Sequence, residues 1–412
     1  MYEPIAKCRI CGNSNLATVL ELGDQSLTGV FPRNRTDPLT SGPLTLVKCT
    51  GEHSCGLLQL AHSYSPNEMY GQNYGYRSGL NPSMVAHLAN KVARIKSMRI
   101  IEQGDIVVDI GSNDATTLKQ YHLDNCVLVG VDPTGAKFRD FYTSNIQLIP
   151  EFFSAKTFAA LYGKRKAKVV TSFSMFYDLE DPIAFMNEVA EILDERGIWV
   201  FEQSYMPSML TTNSYDTICH EHLEYYSLAQ ISWMVKRVGL KIVDVELNDV
   251  NGGSFSVIVQ RQSGHLRESQ TVRAVTETER RLHLNDLETY VAFGDRVRRS
   301  KQELLEFLTT ARRTGKKVAA LGASTKGNVI LQYCGIDSSL IYSVGEINPD
   351  KFGAYTPGTH LNIVDEREVL LDKPDFALVL PWHFKKFFDT QIRYTKLNLV
   401  YPLPVLSTRR SA

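Results

Sequence analysis

A chain of 412 residues is too long for one hydrophobic core and fits two or three domains of ordinary size. Apolar residues make up 43% and charged residues 22%, a balance that excludes disordered and fibrous classes and leaves a well-packed globular protein. Lys plus Arg (45) equals Asp plus Glu (45), so no global field attracts nucleic acid or an anionic membrane, and an anionic substrate needs a local site.

The first residues, MYEPIAKCRICG, lack the apolar centre of a secretory signal, and no segment approaches the roughly 18 apolar residues of a membrane span. A cytoplasmic protein without membrane partners is expected. Seven cysteines, an odd number in a long chain, point to metal binding or free thiols rather than a disulfide scaffold. The first 65 or so residues hold only short apolar runs, which predicts a small domain with little core, over residues 1–75. Within it, Cys8 and Cys11 form a CxxC knuckle, and Cys49 and Cys55 return the chain to it; four thiolates suit one structural, tetrahedral zinc. His53, between the second pair, is an alternative ligand. The stretch 66–82, dense in Gly, Asn and Tyr, suits a connecting or substrate-facing loop.

From Ser83 to Ile101 the pattern is helical. The period then changes: DIVVDIG, CVLVGVD, KVVTSF and GIWVFEQ are β-branched runs separated by helix-like text, as in a doubly wound parallel sheet. KIVDVEL and SFSVIVQ flank Asn251, Gly252 and Gly253 and read as an antiparallel pair that closes this domain, 76–262. Helical text over 269–315 leads into KVAALGAS, SLIYSVGEI and DFALVLP, which repeat the strand signature and predict a second, smaller α/β unit within 263–412.

Asp109, Gly111 and Asn113 lie at the end of a strand before a helix, where doubly wound sheets bind ligands. Asp132, about 20 residues on, ends the next strand, where a carboxylate can accept ribose hydroxyls. A turn without the full GxGxxG suits a ligand lacking a pyrophosphate, which favours S-adenosylmethionine over NAD. Phe152 and Phe153, with Ser172 and Ser174, fall where the adenine and methionine ends would be lined. In YDTICHEHLEYYS, Cys219, Glu221 and His222 crowd together. A metal pair of His220 and His222 lacks a third ligand, and satisfied structural histidines are the bland alternative. General base chemistry fits best, a neutral histidine taking a proton from carbon beside a ketone while a neighbouring carboxylate fixes its tautomer. Tyr76 or Asn251 would stabilise the enolate oxygen. The turn LGASTKGN, with Ser324, Thr325, Lys326 and Asn328, could hold a diphosphate at a helix N-terminus, or Ser324 or Thr325 could simply cap that helix. Glu346, Lys351, Thr356, His360 and Trp382 stand in later loops of the same unit and could touch base or phosphates.

The order CRICG, second cysteine pair, DIGSND, DxxxxEH, NGGS, and LGASTKGN with INPDKFGAYTPGTH resembles the sugar C-methyltransferases that act on nucleotide-linked 4-keto-deoxysugars. The resemblance implies a zinc-binding N-terminal domain, a central class I methyltransferase sheet and a C-terminal Rossmann-like α/β domain around one cleft. It implies S-adenosylmethionine as cofactor and a nucleotide-linked keto-deoxysugar as substrate; TDP or GDP is the expected nucleotide, and a monomer or homodimer the expected assembly. The family's base falls on His222 with Glu221 beside it, and a family tyrosine on Tyr74 or Tyr76. Where that family carries a tyrosine three residues before the base this chain has Cys219, and where it carries a histidine after the fourth strand this chain has Asp178. An O-methyltransferase on the same fold and a non-catalytic nucleotide-sugar-binding protein are the competing functions.

Overall fold

The structure is a computed structural model that describes residues 2–65, 69, 77–121 and 125–411. The N-terminal strands are β1 (Tyr2–Pro4), β2 (Leu16–Ser26), β3 (Ser41–Cys49), β4 (Leu58–Leu60) and β5 (His62–Tyr64). There follow α1 (Pro82–Ser97), β6 (Ile106–Ile110), β7 (Val127–Val131), β8 (Ile146–Ile149), α2 (Ala155–Tyr162), β9 (Ala167–Phe173), α3 (Pro182–Ile192) and β10 (Leu193–Ser204). The central part ends with α4 (Met206–Thr212), β11 (Glu224–Tyr225), α5 (Leu228–Val235), β12 (Leu240–Asn248) and β13 (Ser254–Arg261). Helices α6 (Gln270–Arg281) and α7 (Leu287–Arg313) lead to β14 (Val318–Leu321), α8 (Thr325–Cys334), β15 (Val344–Glu346), β16 (Ile363–Asp365), α9 (Glu366–Asp372), β17 (Phe376–Val379), α10 (Lys385–Thr390), β18 (Leu399–Tyr401) and β19 (Ser407–Arg409).

The central sheet has the order β12-β13-β10-β9-β6-β7-β8. Strands β6 to β10 run parallel, and β13 is antiparallel to both β10 and β12, which is the doubly wound class I methyltransferase arrangement. Buried on both faces, β6 is apolar throughout except for Asp109. Helix α1 starts where the Asn81 side chain accepts from Ser83 N–H and Pro82 fills the first turn, and it lays Leu88, Val92 and Ile95 on the sheet. The C-terminal sheet, β16-β15-β14-β17-β18-β19, is parallel through β18 and antiparallel at β19. In both sheets the carboxyl ends of the parallel strands carry the loops of interest.

The N-terminal domain departs from expectation. It was expected to have little core, yet Leu20, Leu22, Leu44, Leu46, Leu58 and Leu60 are buried. They share one apolar cluster with Phe293, Val297, Leu304 and Leu308 of α7 and with the C-terminal sheet, so the core is completed by other parts of the chain. Its sheet, β11-β4-β3-β2, also takes a strand from the central part: Glu224 pairs with Gln59 and Tyr225 with Leu58. A two-residue strand has no periodic pattern to read. No helix of the described residues is long and apolar enough to cross a membrane.

Candidate functional site

The four N-terminal cysteines converge, with every Sγ within 4.8 Å of the others and contacts of 3.4 Å (Cys8 to Cys55) and 3.5 Å (Cys11 to Cys49). The knuckle closes because Gly12, at φ 71°, lets its N–H reach the Cys8 carbonyl at 2.9 Å. Thiolates about 2.3 Å from one zinc sit slightly under 4 Å apart in a tetrahedron, so the donor set fits that ion. The alternative ligand is set aside, because the His53 side chain is 91% exposed and beside Glu52. A closed four-sulfur site leaves no position for substrate, so the metal is structural.

At the carboxyl end of β6, left-handed residues cluster: Gly111 (φ 76°), Asn113 (φ 49°) and Ala115 (φ 61°), faced by Ser174 (φ 55°) after β9. Such backbone strain gathers where ligands are clamped. A Cβ at Gly111 would meet Met175 at 3.1 Å, so only glycine keeps that turn open. Asp132 organises the turn by accepting from Asn113 N–H at 2.7 Å and from Thr134 N–H and hydroxyl at 2.7 and 2.6 Å. Both Thr134 donors fall on Oδ1, so Oδ2 is the oxygen that keeps a lone pair for a ribose hydroxyl. Asp109 is fully buried; the Thr171 hydroxyl donates to it at 2.5 Å, and burial pushes its carboxyl up from 3.8 to about 7. It anchors the turn from beneath. Ser78 and Gly79 N–H groups cap the turn from above by donating to Asn113 and Asp114. Phe152 is 58% exposed, and Phe153 packs on Phe185. Ser172 corrects the sequence reading: strand parity turns it into the core, where its hydroxyl accepts from the Trp199 indole at 2.9 Å, and its neighbour Thr171 faces Asp109 instead.

His222 is half-buried, with its ring edge-on to Tyr177 at 4.4 Å. Its Nδ1 lies 2.8 Å from the Thr217 carbonyl, an acceptor only, so Nδ1 carries the proton and Nε2 keeps its lone pair. A backbone carbonyl, not the expected carboxylate, fixes the tautomer. Burial first, then the Lys326 charge, push His222 down to about 4. Glu221 points elsewhere, its Oε1 3.3 Å from where a Cβ on Gly29 would sit, and burial raises its carboxyl. Cys219 is buried, and burial holds its thiol well above the usual range, so it is neutral where the resemblance places a tyrosine. Asp178 closes the turn Phe176–Asp178 on the same side. His220 turns away to the Gly42 carbonyl, so the two histidines do not form a joint metal site. Tyr74 and Tyr76 lie outside the described residues.

The C-terminal unit reaches into this cleft. Lys326, in the first turn of α8, donates to the Asn251 carbonyl. Asn251 (φ 55°) sits at the tip of the β12–β13 hairpin, and a Cβ on the adjoining Gly252 would lie 4.0 Å from Lys326 Nζ and 3.9 Å from His383. The Trp382 indole donates to Asp216 at 2.8 Å, so Trp382 braces the turn that leads to His222. Other expected ligands have structural partners. Ser324 caps α8 by accepting from Gly327 N–H at 3.0 Å, with Thr325 half-buried beside it. Asn328, fully buried, donates to the Thr28 carbonyl at 2.8 Å; Thr356, also fully buried, closes its own loop by accepting from Leu361 N–H. Glu346 accepts from the Ala323, Ile347 and Asn348 N–H groups, and Lys351 donates to the Ala323 carbonyl. His360 (φ 53°) is half-buried in the same loop as Thr356.

The sequence reading missed a buried network at the carboxyl end of β10. Glu202 meets His87 at 2.5 Å and Lys91 at 2.8 Å, and accepts from Asn248 at 2.8 Å. Its signal was an acid ending an apolar strand, GIWVFEQ, which sequence alone does not separate from a solvated strand end. Asp216 was quoted only as part of a motif; it is buried, with Oδ1 unpartnered among the described residues.

Three family models match successive stretches of the chain: a zinc binding domain over residues 8–70, a methyltransferase domain over 84–245 and a C-methyltransferase C-terminal domain over 249–404. The C-methyltransferase NovU of Streptomyces niveus is 29% identical over 389 residues, which cover 93% of this chain and 91% of that protein. Solved structures with a likeness to part of the chain include magnesium protoporphyrin IX methyltransferase from Synechocystis PCC 6803 with bound S-adenosylmethionine (12% identity, 43% of this chain and 81% of that one, TM-score 0.33). The plantazolicin methyltransferase BpumL is another (10% identity, 44% and 86%, TM-score 0.36). With the cysteine cluster at one end, the methyltransferase sheet in the middle and the matched C-terminal domain beyond it, the chain is organised as an S-adenosylmethionine-dependent C-methyltransferase with an N-terminal zinc-binding domain.

Proposed function

We propose that this enzyme methylates C-3 of a nucleotide-linked 4-keto-6-deoxysugar, in the biosynthesis of a branched deoxysugar. The observation that carries this reading is the state of His222: a neutral imidazole, with Nδ1–H tied to the Thr217 carbonyl and Nε2 left as a base. A C–H beside a ketone is acidic enough for such a base because the charge delocalises onto the ketone oxygen. Held near 4, His222 is almost wholly unprotonated at neutral pH and ready to accept the proton without first losing one.

When bound, S-adenosylmethionine supplies an electrophilic methyl carbon on a sulfonium. Gly111, Asn113, Asp132 and Ser174 would hold it, at the strained turns on the carboxyl ends of β6, β7 and β9. The chain's own residues do the rest. Thr217 aims the imidazole, Tyr177 packs its ring, and the braced turn 215–222 fixes its place against the substrate cleft.

The test is to incubate the enzyme with TDP-, GDP-, CDP- and UDP-4-keto-6-deoxysugars and labelled cofactor in deuterated buffer. Methyl gain and ring-proton exchange on one substrate, both abolished in His222→Ala, is the expected result. Methyl transfer without any exchange would refute the carbon-acid reading and leave an O-methyltransferase.

A further inference from the structure

An enolate oxygen is held best by a strong donor or a positive charge; of the groups first considered, Tyr76 lies outside the described residues and the Asn251 side chain offers only a neutral amide. The Asn251 carbonyl is an acceptor and is engaged by Lys326. The cation itself is the better candidate. Lys326 comes from the C-terminal unit, lies half-buried, and sits in the first turn of α8, the helix packed on the turn 215–217 that leads to His222. Among the described residues its Nζ makes one hydrogen bond, to Asn251, and no carboxylate oxygen lies within 4.0 Å, so two N–H groups are free for a ligand. The titratable groups around it are Asp216 and Cys219 on the turn that carries His222, His222 itself, and His383 on the loop after β17.

The diphosphate role first assigned to this lysine fits less well. Several N–H groups at the start of α8 are already engaged: Gly322 with the Gly345 carbonyl, Ala323 with the Glu346 carboxylate, Ser324 with the Gly322 carbonyl and, inside the first turn, Gly327 with the Ser324 hydroxyl. The Ala323 N–H already meets a carboxylate, whose charge opposes a second anion beside it.

We propose that Lys326 is a catalytic residue whose ammonium holds the enolate oxygen while His222 takes the proton. The assignment rests on the carbon-acid reading above. In the step it describes, the C–H bond breaks, its proton passes to His222 Nε2, and its electron pair forms the C=C bond of the enolate. The carbonyl π pair moves to oxygen, which Lys326 stabilises through an N–H donor in a water-poor site.

The experiment measures exchange of the substrate ring proton with solvent in the absence of methyl transfer, using TDP-4-keto-6-deoxyglucose or whichever sugar of the panel the wild-type enzyme exchanges. Lys326→Met is expected to lower exchange at saturating sugar about 100-fold or more, as loss of an oxyanion donor does elsewhere. TDP affinity and melting temperature should stay near wild-type values, and the acid limb of the exchange profile should move to higher pH once the cation no longer depresses His222. Methylammonium should restore exchange to Lys326→Ala in a saturable way. Weakened TDP binding with unchanged saturated exchange would overturn the assignment in favour of a phosphate clamp. Exchange that falls only in step with melting temperature, without amine rescue, would overturn it in favour of a structural role. Exchange unaltered by the variant sinks the Lys326 assignment alone, whereas none in the wild-type enzyme sinks the carbon-acid reading with it.

Discussion

Asp109→Asn offers a test of how the cofactor turn is built. The carboxyl lies under the turn, fully buried, bonded to Thr171 and near Asp132. Burial raises it from 3.8 to about 7, so the folded chain keeps a proton that the unfolded chain releases near pH 4. The sign follows: between those values the native state binds more protons, and stability falls as pH rises. Asparagine keeps the acceptor for Thr171 and removes the titration. Taking 3.8 and 7 as the two values, the variant should gain on wild type by roughly 1 kcal/mol for each pH unit from 5 to 7, and by less than half of that from 7 to 8. Urea midpoints of both proteins at each pH, converted with a common slope, read this directly. A difference that stays flat with pH would refute the reasoning, since it would mean that the fold already holds an ionised Asp109 at pH 5.

Native mass spectrometry should find one zinc per wild-type chain and none, or a loosely held ion, in Cys49→Ser. Glu279→Ala removes the acceptor for the Tyr205 hydroxyl (2.9 Å) and for the Leu228 and Ala229 N–H groups (2.6 and 3.1 Å) in a buried site. At roughly 1–3 kcal/mol for each orphaned donor and without full additivity, a loss of about 3–5 kcal/mol is expected in urea unfolding, with Glu279→Gln milder. Asn328→Ala should lower stability by about 1–2 kcal/mol through loss of its bond to Thr28, while the KM for the proposed nucleotide sugar stays within about twofold, since Asn328 is fully buried and its amide is spent on Thr28. A tenfold rise in KM would return it to the substrate site.

The sheets were legible because parallel strands buried on both faces write themselves as uninterrupted β-branched runs. The NGG turn between β12 and β13 was legible because left-handed residues need such side chains. The cysteine site was legible from spacing alone. What sequence could not supply was direction. Ser172 and Thr171 are adjacent, and only the register of β9 decides which one faces Asp109. His222 and its turn were readable as chemistry, but the Thr217 carbonyl that fixes the tautomer is a main-chain atom, and backbone atoms leave no trace in residue identity. Lys326 was read as part of its own turn; its reach across to Asn251 depends on how two domains pack.

The short strand β11 begins two residues after His222 and completes the sheet of the zinc-binding domain, with the Leu223 carbonyl accepting from Leu60 N–H at 2.8 Å. The chain is therefore not divisible along its apparent modules. A gene fragment encoding the central domain alone would leave the segment that carries His222 unanchored on one side. Recombination that exchanged only the metal-binding module between relatives would have to preserve the pairing of Gln59 and Leu58 with Glu224 and Tyr225. The placement of His222 thus depends on residues some 160 positions upstream, and shuffling among relatives should move the first and second modules as one inherited block.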